Sequence, residues 1–314
     1  MAVTPPGQGF HKKVAVVGLG RMGSNIAKRL AGQKISIGAL YDKNENVVRE
    51  LAHHMHTLHA KTLAEVNANA EIVITCVSDD EAVEGLFAES GDSLLLGASR
   101  LTFIECSTVS PRTHREVAKR LEARRAKLIE ACMSGSIHQA HDGTLYLILG
   151  GDRATIDELQ PLLTMLAKTQ VYVGDVGRAA AVKALINMVM NANTAALAEG
   201  LALGAALGIN LDELREIFAN TGAQSRVLMT DGLDMAKREH HTFFSAAHAR
   251  KDTQIALDLA KDAGLELPVT EATKHQYDRM VELGLGNIDK SGISELTFRD
   301  RRKRYETAAA AQKV

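Results

Sequence analysis

Residues 13–23 read Lys-Val-Ala-Val-Val-Gly-Leu-Gly-Arg-Met-Gly, and this stretch limits the fold more than any other. An apolar run, Val14–Val17, feeds a Gly-x-Gly-x-x-Gly loop made of Gly18, Gly20 and Gly23. A helix is predicted to open there, because Met22, Ile26, Ala27 and Leu30 recur at helical spacing. Each glycine has a physical reason. Gly18 permits a tight turn, Gly20 lets backbone approach a pyrophosphate, and Gly23 lets the helix pack closely on the strand. Leu19, Arg21 and Met22 complete the loop, whose N–H groups and helix dipole favour an anion. A second strand at 34–41 ends in Asp42, where such folds place the acid that binds the adenosine ribose. The spacing therefore predicts a dinucleotide site. Asp42 predicts NAD over NADP, since its carboxylate accepts from a 2′-hydroxyl and repels a 2′-phosphate. Lys43 and Asn44 pull the other way, because a nearby cation tolerates phosphate.

The chain has 314 residues, enough for two domains. Hydrophobic residues make up 46%, charged ones 24%, and the net charge is −1, so nothing global favours nucleic acid or a membrane surface. Cys76, Cys106 and Cys132 are odd in number and widely spaced, each within an apolar run. They read as reduced core cysteines of a cytoplasmic protein rather than a disulfide or zinc framework. Residues 1–11 lack the apolar core of a signal peptide and read as a flexible leader, and no stretch has the length and apolarity of a membrane span.

From residue 12 to 174 short apolar strands alternate with amphipathic helices. Further strands are predicted at 72–77, 101–106, 127–131, 145–149 and 170–173, with helices such as 111–125 and 153–166 between them. That alternation predicts an α/β domain with a parallel, doubly wound sheet of the Rossmann kind. After Gly174 the strand signal stops, and helices are predicted at 178–207, 211–221, 248–263 and 268–283. The reading is a nucleotide-binding domain at 12–174, an all-α domain at 175–299, and flexible tails at 1–11 and 300–314.

The helix at 178–207 is mostly apolar, spans ~45 Å at 1.5 Å per residue, and is predicted to be buried on nearly all sides. Such a helix is hard to cover within one small domain, which points to a homodimer or homotetramer. Lys183, Asn187, Asn191 and Thr194 form a polar stripe on one of its faces. Buried polar groups need partners. Helix–helix hydrogen bonds explain Asn191 and Thr194, whereas a buried lysine points to a job, and partial desolvation lowers an ammonium's pKa toward proton exchange near neutrality.

These residues resemble the β-hydroxyacid dehydrogenases, a family that includes 3-hydroxyisobutyrate dehydrogenase and tartronate semialdehyde reductase. The similarity runs from about residue 12 to 294. Gly18–Gly23 looks like the nucleotide signature. Glu105-Cys-Ser-Thr-Val-Ser-Pro111 resembles the segment where a Ser-Thr pair, here Ser107 and Thr108, ends a strand beside the nicotinamide. Met133-Ser134-Gly135-Ser136, then Gly143-Thr-Leu145 and Gly150-Gly151, looks like the substrate-loop signature. Gly177 to Asn187 matches a Gly…Lys-x-x-x-Asn catalytic pattern, and Lys251-Asp252 is similar to a Lys-Asp pair that closes over the cofactor. The substrate loop, usually Asp-x-Pro-Val-Ser-Gly-Gly, here reads Glu130-Ala-Cys132-Met133-Ser134-Gly135-Ser136, so that Ser136 replaces the second glycine and Cys132 the proline, and Ser78 stands where proline is frequent. The departures leave the reaction class intact and the substrate open.

The resemblance implies reversible hydride transfer between a nicotinamide cofactor and a small 3-hydroxy acid, or reduction of the matching semialdehyde, without a metal. Ser134, Gly135 and Ser136 are expected to hold the substrate carboxylate, with Asn187 orienting it or the reacting hydroxyl. Lys183 is the expected general acid/base. Gly18, Leu19, Gly20, Arg21, Met22, Gly23, Asp42, Val77, Thr108 and Lys251 are the expected cofactor contacts. Two other functions fit the scaffold. Imine reductases often replace the lysine retained here as Lys183, and a non-catalytic dinucleotide-binding interaction module would lose it. His53, His54, His56 and His59 read as a solvated helix end rather than a metal site. His138 and His141 read as surface or capping residues. The basic run 299–304 reads as a solvated helix end or a patch folding back near the cofactor rather than a nucleic-acid tail.

Overall fold

The computed structural model describes residues 10–299 and 301, which divide into two compact units between Lys183 and Ala184. The first unit contains β1 (Val14–Val17), α1 (Arg21–Gly32), β2 (Ile37–Tyr41), α2 (Glu45–Met55), β3 (Leu58–His59), α3 (Leu63–Ala68), β4 (Ile72–Thr75) and α4 (Asp80–Leu86). It continues with β5 (Thr102–Glu105), α5 (Pro111–Glu122), β6 (Lys127–Ser134), α6 (Ile137–Asp142), β7 (Leu145–Gly151), α7 (Arg153–Glu158), α8 (Gln160–Leu166) and β8 (Ala167–Tyr172). The strands form one eight-stranded sheet in the order β3-β2-β1-β4-β5-β6-β7-β8.

Successive strand residues point to opposite faces, so each strand feeds two cores. Val14 and Val16 pack with Ile26 and Leu30 of α1, while Ala15 and Val17 belong with Val83, Phe87 and Phe103 on the other face. Phe87 and Phe103 meet edge to face at 5.4 Å between ring centres. Covering both faces is what buries β1, β4 and β5 along their whole length and makes β1 apolar throughout.

The sheet is not wholly parallel as predicted: β7 runs antiparallel to β6. Only residues 135–144 separate the two strands, and a parallel return needs a crossover of about a dozen or more. The helix predicted at 153–166 is two helices. Pro161 lies in the first turn of α8, where it supplies no N–H to continue α7.

Helix α9 (Arg178–Ala206) runs through the division. The second unit adds α10 (Leu211–Ala219), α11 (Arg226–Lys237), α12 (Ala246–Asp262), α13 (Pro268–Glu282), a 3-10 turn at Lys290–Ile293 and a last short helix at Ser294–Thr297. Its core gathers Leu201, Val227, Met235, Tyr277, Met280 and Ile293. The sequence reading missed α11, although Ser225 caps it by accepting from the Leu228 N–H. Buried polar links tie the unit's end to its middle. Lys290 pairs with Asp231, and Glu295 is surrounded by Arg238, Arg301 and His240.

α9 is not buried on nearly all sides within the chain. Leu185 and Val189 are 51% and 52% exposed and Leu203 is 62% exposed. Its polar stripe is enclosed instead, with Lys183 9% exposed and Asn187, Asn191 and Thr194 at 2% or less. Asn191 Nδ2 donates to Ala249 O and Thr253 Oγ1 of α12, a helix–helix link. Thr194 bonds back to Met190 O of its own helix.

Candidate functional site

The glycine loop of the first unit has the geometry its sequence requires. Gly18 adopts φ +86°, and a Cβ on it would run into the Cys76 carbonyl. A Cβ on Gly23 would overlap the Gly18 carbonyl oxygen, so this glycine lets α1 lie against its own strand. Gly20 differs from both. A Cβ there meets no protein atom within 4 Å, so its missing side chain leaves room for a ligand rather than for the protein. Gly20 is also the N-cap of α1, no side chain caps that end, and no acid stands in the first turn. The residues present therefore fit a dinucleotide pyrophosphate, held by backbone N–H groups of the loop at the positive end of a helix.

Asp42 follows β2 and faces this loop. Its Oδ2 accepts the Leu19 N–H at 2.6 Å and its Oδ1 accepts the Asn44 N–H at 2.8 Å. Each carboxylate oxygen keeps a further lone pair for a ribose hydroxyl. Lys43 and Asn44 beside it are exposed. Val77 and Thr108 follow β4 and β5. The Val77 N–H donates to Ser107 Oγ at 2.9 Å, the Ser107 N–H donates to Glu105 Oε1 at 2.7 Å, and Thr75 Oγ1 donates to Glu105 Oε2 at 2.6 Å. Buried Glu105 thus ties together the ends of two strands that carry expected cofactor contacts.

Ser134 ends β6, Gly135 turns at φ +135°, and Ser136 caps α6. Both Ser136 donors, N–H at 2.8 Å and hydroxyl at 2.6 Å, meet Gln139 Oε1. Glu130 lies on the same strand and is fully buried. Its Oε1 is 2.6 Å from His114 Nδ1, and its Oε2 accepts the Ala179 N–H at 3.0 Å. Lys183 follows Ala179 by one helical turn, and its charge reaches the Cys132 thiol on β6. Burial pushes the Cys76 thiol up to about 12 and Cys106 and Cys132 well above the usual range, so none is a nucleophile near neutrality.

In the second unit Asn187 Nδ2 donates to Asp252 Oδ2 at 2.5 Å, and Lys251 Nζ lies 2.7 Å from Asp252 Oδ1. Asp252 is 1% exposed and brings together two expected site residues from α9 and α12. A carboxylate only accepts, so the contact fixes which end of the Asn187 amide faces it. Ser107 and Asp252 entered the sequence reading only as members of the Ser-Thr and Lys-Asp pairs, and Glu130 and His114 were given no role. Their signal was weak, because a buried support residue shows in sequence only as one polar letter inside an apolar run.

The histidine cluster is split. His53 and His54 end α2, His56 caps it in the left-handed region, and His59 lies in β3 with its ring 3.3 Å from Lys61 Nζ. Of the basic run, Arg301 is not a solvated end. It donates to Met235 O at the end of α11 and to Glu295 Oε1, and stacks on Phe298. Asp300 and residues 302–304 lie outside the described residues, as do residues 1–9 of the expected leader. Among the described residues no helix is long and apolar enough to cross a membrane.

A glycine loop at a helix N-terminus, an acid just beyond the second strand and an all-helical second unit define a dinucleotide-binding protein of the dehydrogenase class. The model of the NAD binding domain of 6-phosphogluconate dehydrogenase matches residues 13–174, and that of the NAD-binding domain of NADP-dependent 3-hydroxyisobutyrate dehydrogenase matches 177–297. The chain belongs to the β-hydroxyacid dehydrogenase family. Glyoxylate/succinic semialdehyde reductase 1 of Arabidopsis thaliana is 28% identical over 285 residues, covering 90% of this chain and 97% of the relative. The cytokine-like nuclear factor N-PAC of Drosophila pseudoobscura pseudoobscura is 29% identical over 281 residues, covering 88% of this chain and 45% of the relative. The chain thus spans about half the length of its N-PAC relatives. Among solved structures, Mycobacterium tuberculosis 3-hydroxyisobutyrate dehydrogenase with L-serine superposes with a TM-score of 0.81 at 24% identity, covering 91% of this chain and 98% of that one. That last likeness shows the fold.

Proposed function

We propose that the protein is an NAD(P)-dependent oxidoreductase that oxidises a small 3-hydroxy acid or reduces the matching semialdehyde. The observation that carries this reading is Lys183, a lysine 9% exposed at the head of a long helix, one turn before buried Asn187. When bound, the nicotinamide supplies the hydride acceptor or donor. Lys183 takes the hydroxyl proton during oxidation and returns one to the carbonyl oxygen during reduction. Asn187, with its amide fixed by Asp252, orients the reacting hydroxyl or the carboxylate. The segment Ser134, Gly135 and Ser136 receives the substrate carboxylate, which displaces Gln139 Oε1 from the Ser136 donors. Arg21, Met22, Val77, Thr108 and Lys251 complete the cofactor contacts, and Asp42 favours NAD.

The bare apolar face at Leu185, Val189 and Leu203 supports a homodimer or homotetramer, which light scattering on the purified chain reads directly. Three unbridged cysteines support a reducing, cytoplasmic setting. Initial rates of NAD reduction with 3-hydroxyisobutyrate, glycerate, 4-hydroxybutyrate and serine, and of NADH oxidation with the semialdehydes, test the reaction class. Turnover on at least one pair is expected. A second reading, a dinucleotide-binding module without turnover, draws on the relatives named as nuclear factors. Its signature is silence across the panel in both directions with dinucleotide binding intact.

A further inference from the structure

Glu130 has no part in proton or hydride transfer, yet it is a fully buried carboxylate whose two oxygens serve two different helices. Burying a carboxylate is costly unless it is paired and hydrogen-bonded, and apolar packing of equal volume is often as stable. Its presence in the sheet therefore calls for a use in placement.

The placement is specific. The Ala179 N–H lies in the first turn of α9, where amides have no partner within the helix, and a carboxylate there also meets the positive end of the dipole. The contact exists because position 150 on β7, directly opposite Glu130, is glycine; a Cβ there would collide with Glu130 Oε2 and press on Ala179. His114 of α5, itself 0% exposed, holds the other oxygen. Glu130 and Cys132 share one face of β6, and Ala179 and Lys183 share one face of α9. The strand therefore holds the helix at Ala179, and Lys183 follows one turn later on the same helical face.

We propose that Glu130, held by His114, is a positioning residue that fixes the first turn of α9 on β6 and so sets the place of Lys183. The proposal rests on the reading of Lys183 as the general acid/base. Glu130→Gln keeps an oxygen for the Ala179 N–H and offers its NH2 to a neutral His114, whereas Glu130→Ala removes both contacts.

The test measures kcat, KM and dinucleotide Kd, together with amide exchange along α9. Glu130→Ala is expected to lower kcat about 30-fold or more, with KM and Kd within threefold. Its amides at 179–183 should exchange at least tenfold faster while those at 195–206 keep their protection. Glu130→Gln should recover kcat to within fivefold of wild type. Unchanged kcat and exchange in Glu130→Ala, or a Glu130→Gln as damaged as the alanine variant, overturns the proposal. If the alanine variant does not fold, Gly150→Ala, which wedges the same contact, takes its place with the same expected split. Loss of KM and kcat together, or neither, then overturns it. A wild type silent on every substrate defeats the enzyme reading alone, since exchange still reports the hold on α9. An active wild type with an unimpaired Glu130→Ala defeats this proposal alone.

Discussion

Alanine at two glycines of one loop should fail in opposite ways, because the structure gives each a different neighbour. At Gly23 a Cβ overlaps the Gly18 carbonyl oxygen, a backbone atom that cannot swing aside, so strand and helix must separate. Overpacking of that kind costs about 1–3 kcal/mol, or roughly 2–12 °C in Tm for a unit of this size. At Gly20 the Cβ meets nothing within 4 Å, and the backbone at φ −62° and ψ −169° suits any L-residue. Lower entropy of the unfolded chain favours alanine there by about 0.4–1 kcal/mol. Its poorer N-capping takes back a similar amount, so stability should stay within about 0.5 kcal/mol. The methyl does occupy the space left for the pyrophosphate. Losing one charge-assisted hydrogen bond costs about 1.5–3 kcal/mol, which raises the dinucleotide Kd roughly 10- to 100-fold. Calorimetric Tm and NADH fluorescence titration read the two effects separately. A Gly20→Ala protein with unchanged Tm and wild-type Kd would refute the assignment of this loop to the dinucleotide.

Three further outcomes follow from the same contacts. Burial pulls the His114 imidazole down, but the hydrogen bond to Glu130 and the charges of Glu105, Glu130 and Asp80 outweigh it and leave its pKa raised. Its contribution to stability is therefore complete below the unfolded value of about 6.5 and fades as pH rises through the raised folded value. Tm against pH should show that decline in wild type and lack it in His114→Gln; parallel curves would contradict the pairing. Glu295 is buried, and against that burial its contacts with His240, Arg238 and Arg301 hold its carboxyl down at about 2. Its contribution is present above the unfolded value near 4.3 and is lost as pH falls toward 2. Glu295→Gln should cost about 3 kcal/mol at neutral pH and flatten the acid limb of the Tm profile, and an unchanged Tm at pH 7 would remove the cluster from the account. Asp42→Ala should erode a preference for NAD by about tenfold or more in kcat/KM, measured against NADP; an unaltered ratio would show that Asp42 serves only Leu19 and Asn44.

The elements legible in sequence were those whose period is local. Val14–Val17, the glycine loop and the polar stripe on α9 each repeat at the spacing of one strand or one helical face. The reversed strand β7 was not legible from its own residues, because an apolar strand reads the same in either direction. Its direction was written instead in the shortness of residues 135–144. Pro161 was a legible break that an otherwise helical pattern concealed. Of the candidate site, Gly18, Gly20, Gly23, Asp42, Lys183 and Asn187 stood out by type and spacing. Glu130 and His114 did not, because their meaning lies in partners 16 and 49 residues away, and Asp252 was legible beside Lys251 but not as the partner of Asn187, 65 residues earlier. The enclosure predicted for α9 failed at Leu185 and Val189 for a related reason, since composition tells how apolar a helix is and not what covers it.

The central claim is that Lys183 moves the proton in a reaction this chain catalyses. Steady-state turnover of Lys183→Ala, beside its dinucleotide Kd, tests it most directly. A loss of about 10²–10⁴-fold in kcat, the range supplied by a positioned acid/base, is expected with dinucleotide Kd unchanged. A Lys183→Ala enzyme that turns over hydroxy acid at close to the wild-type rate would contradict it.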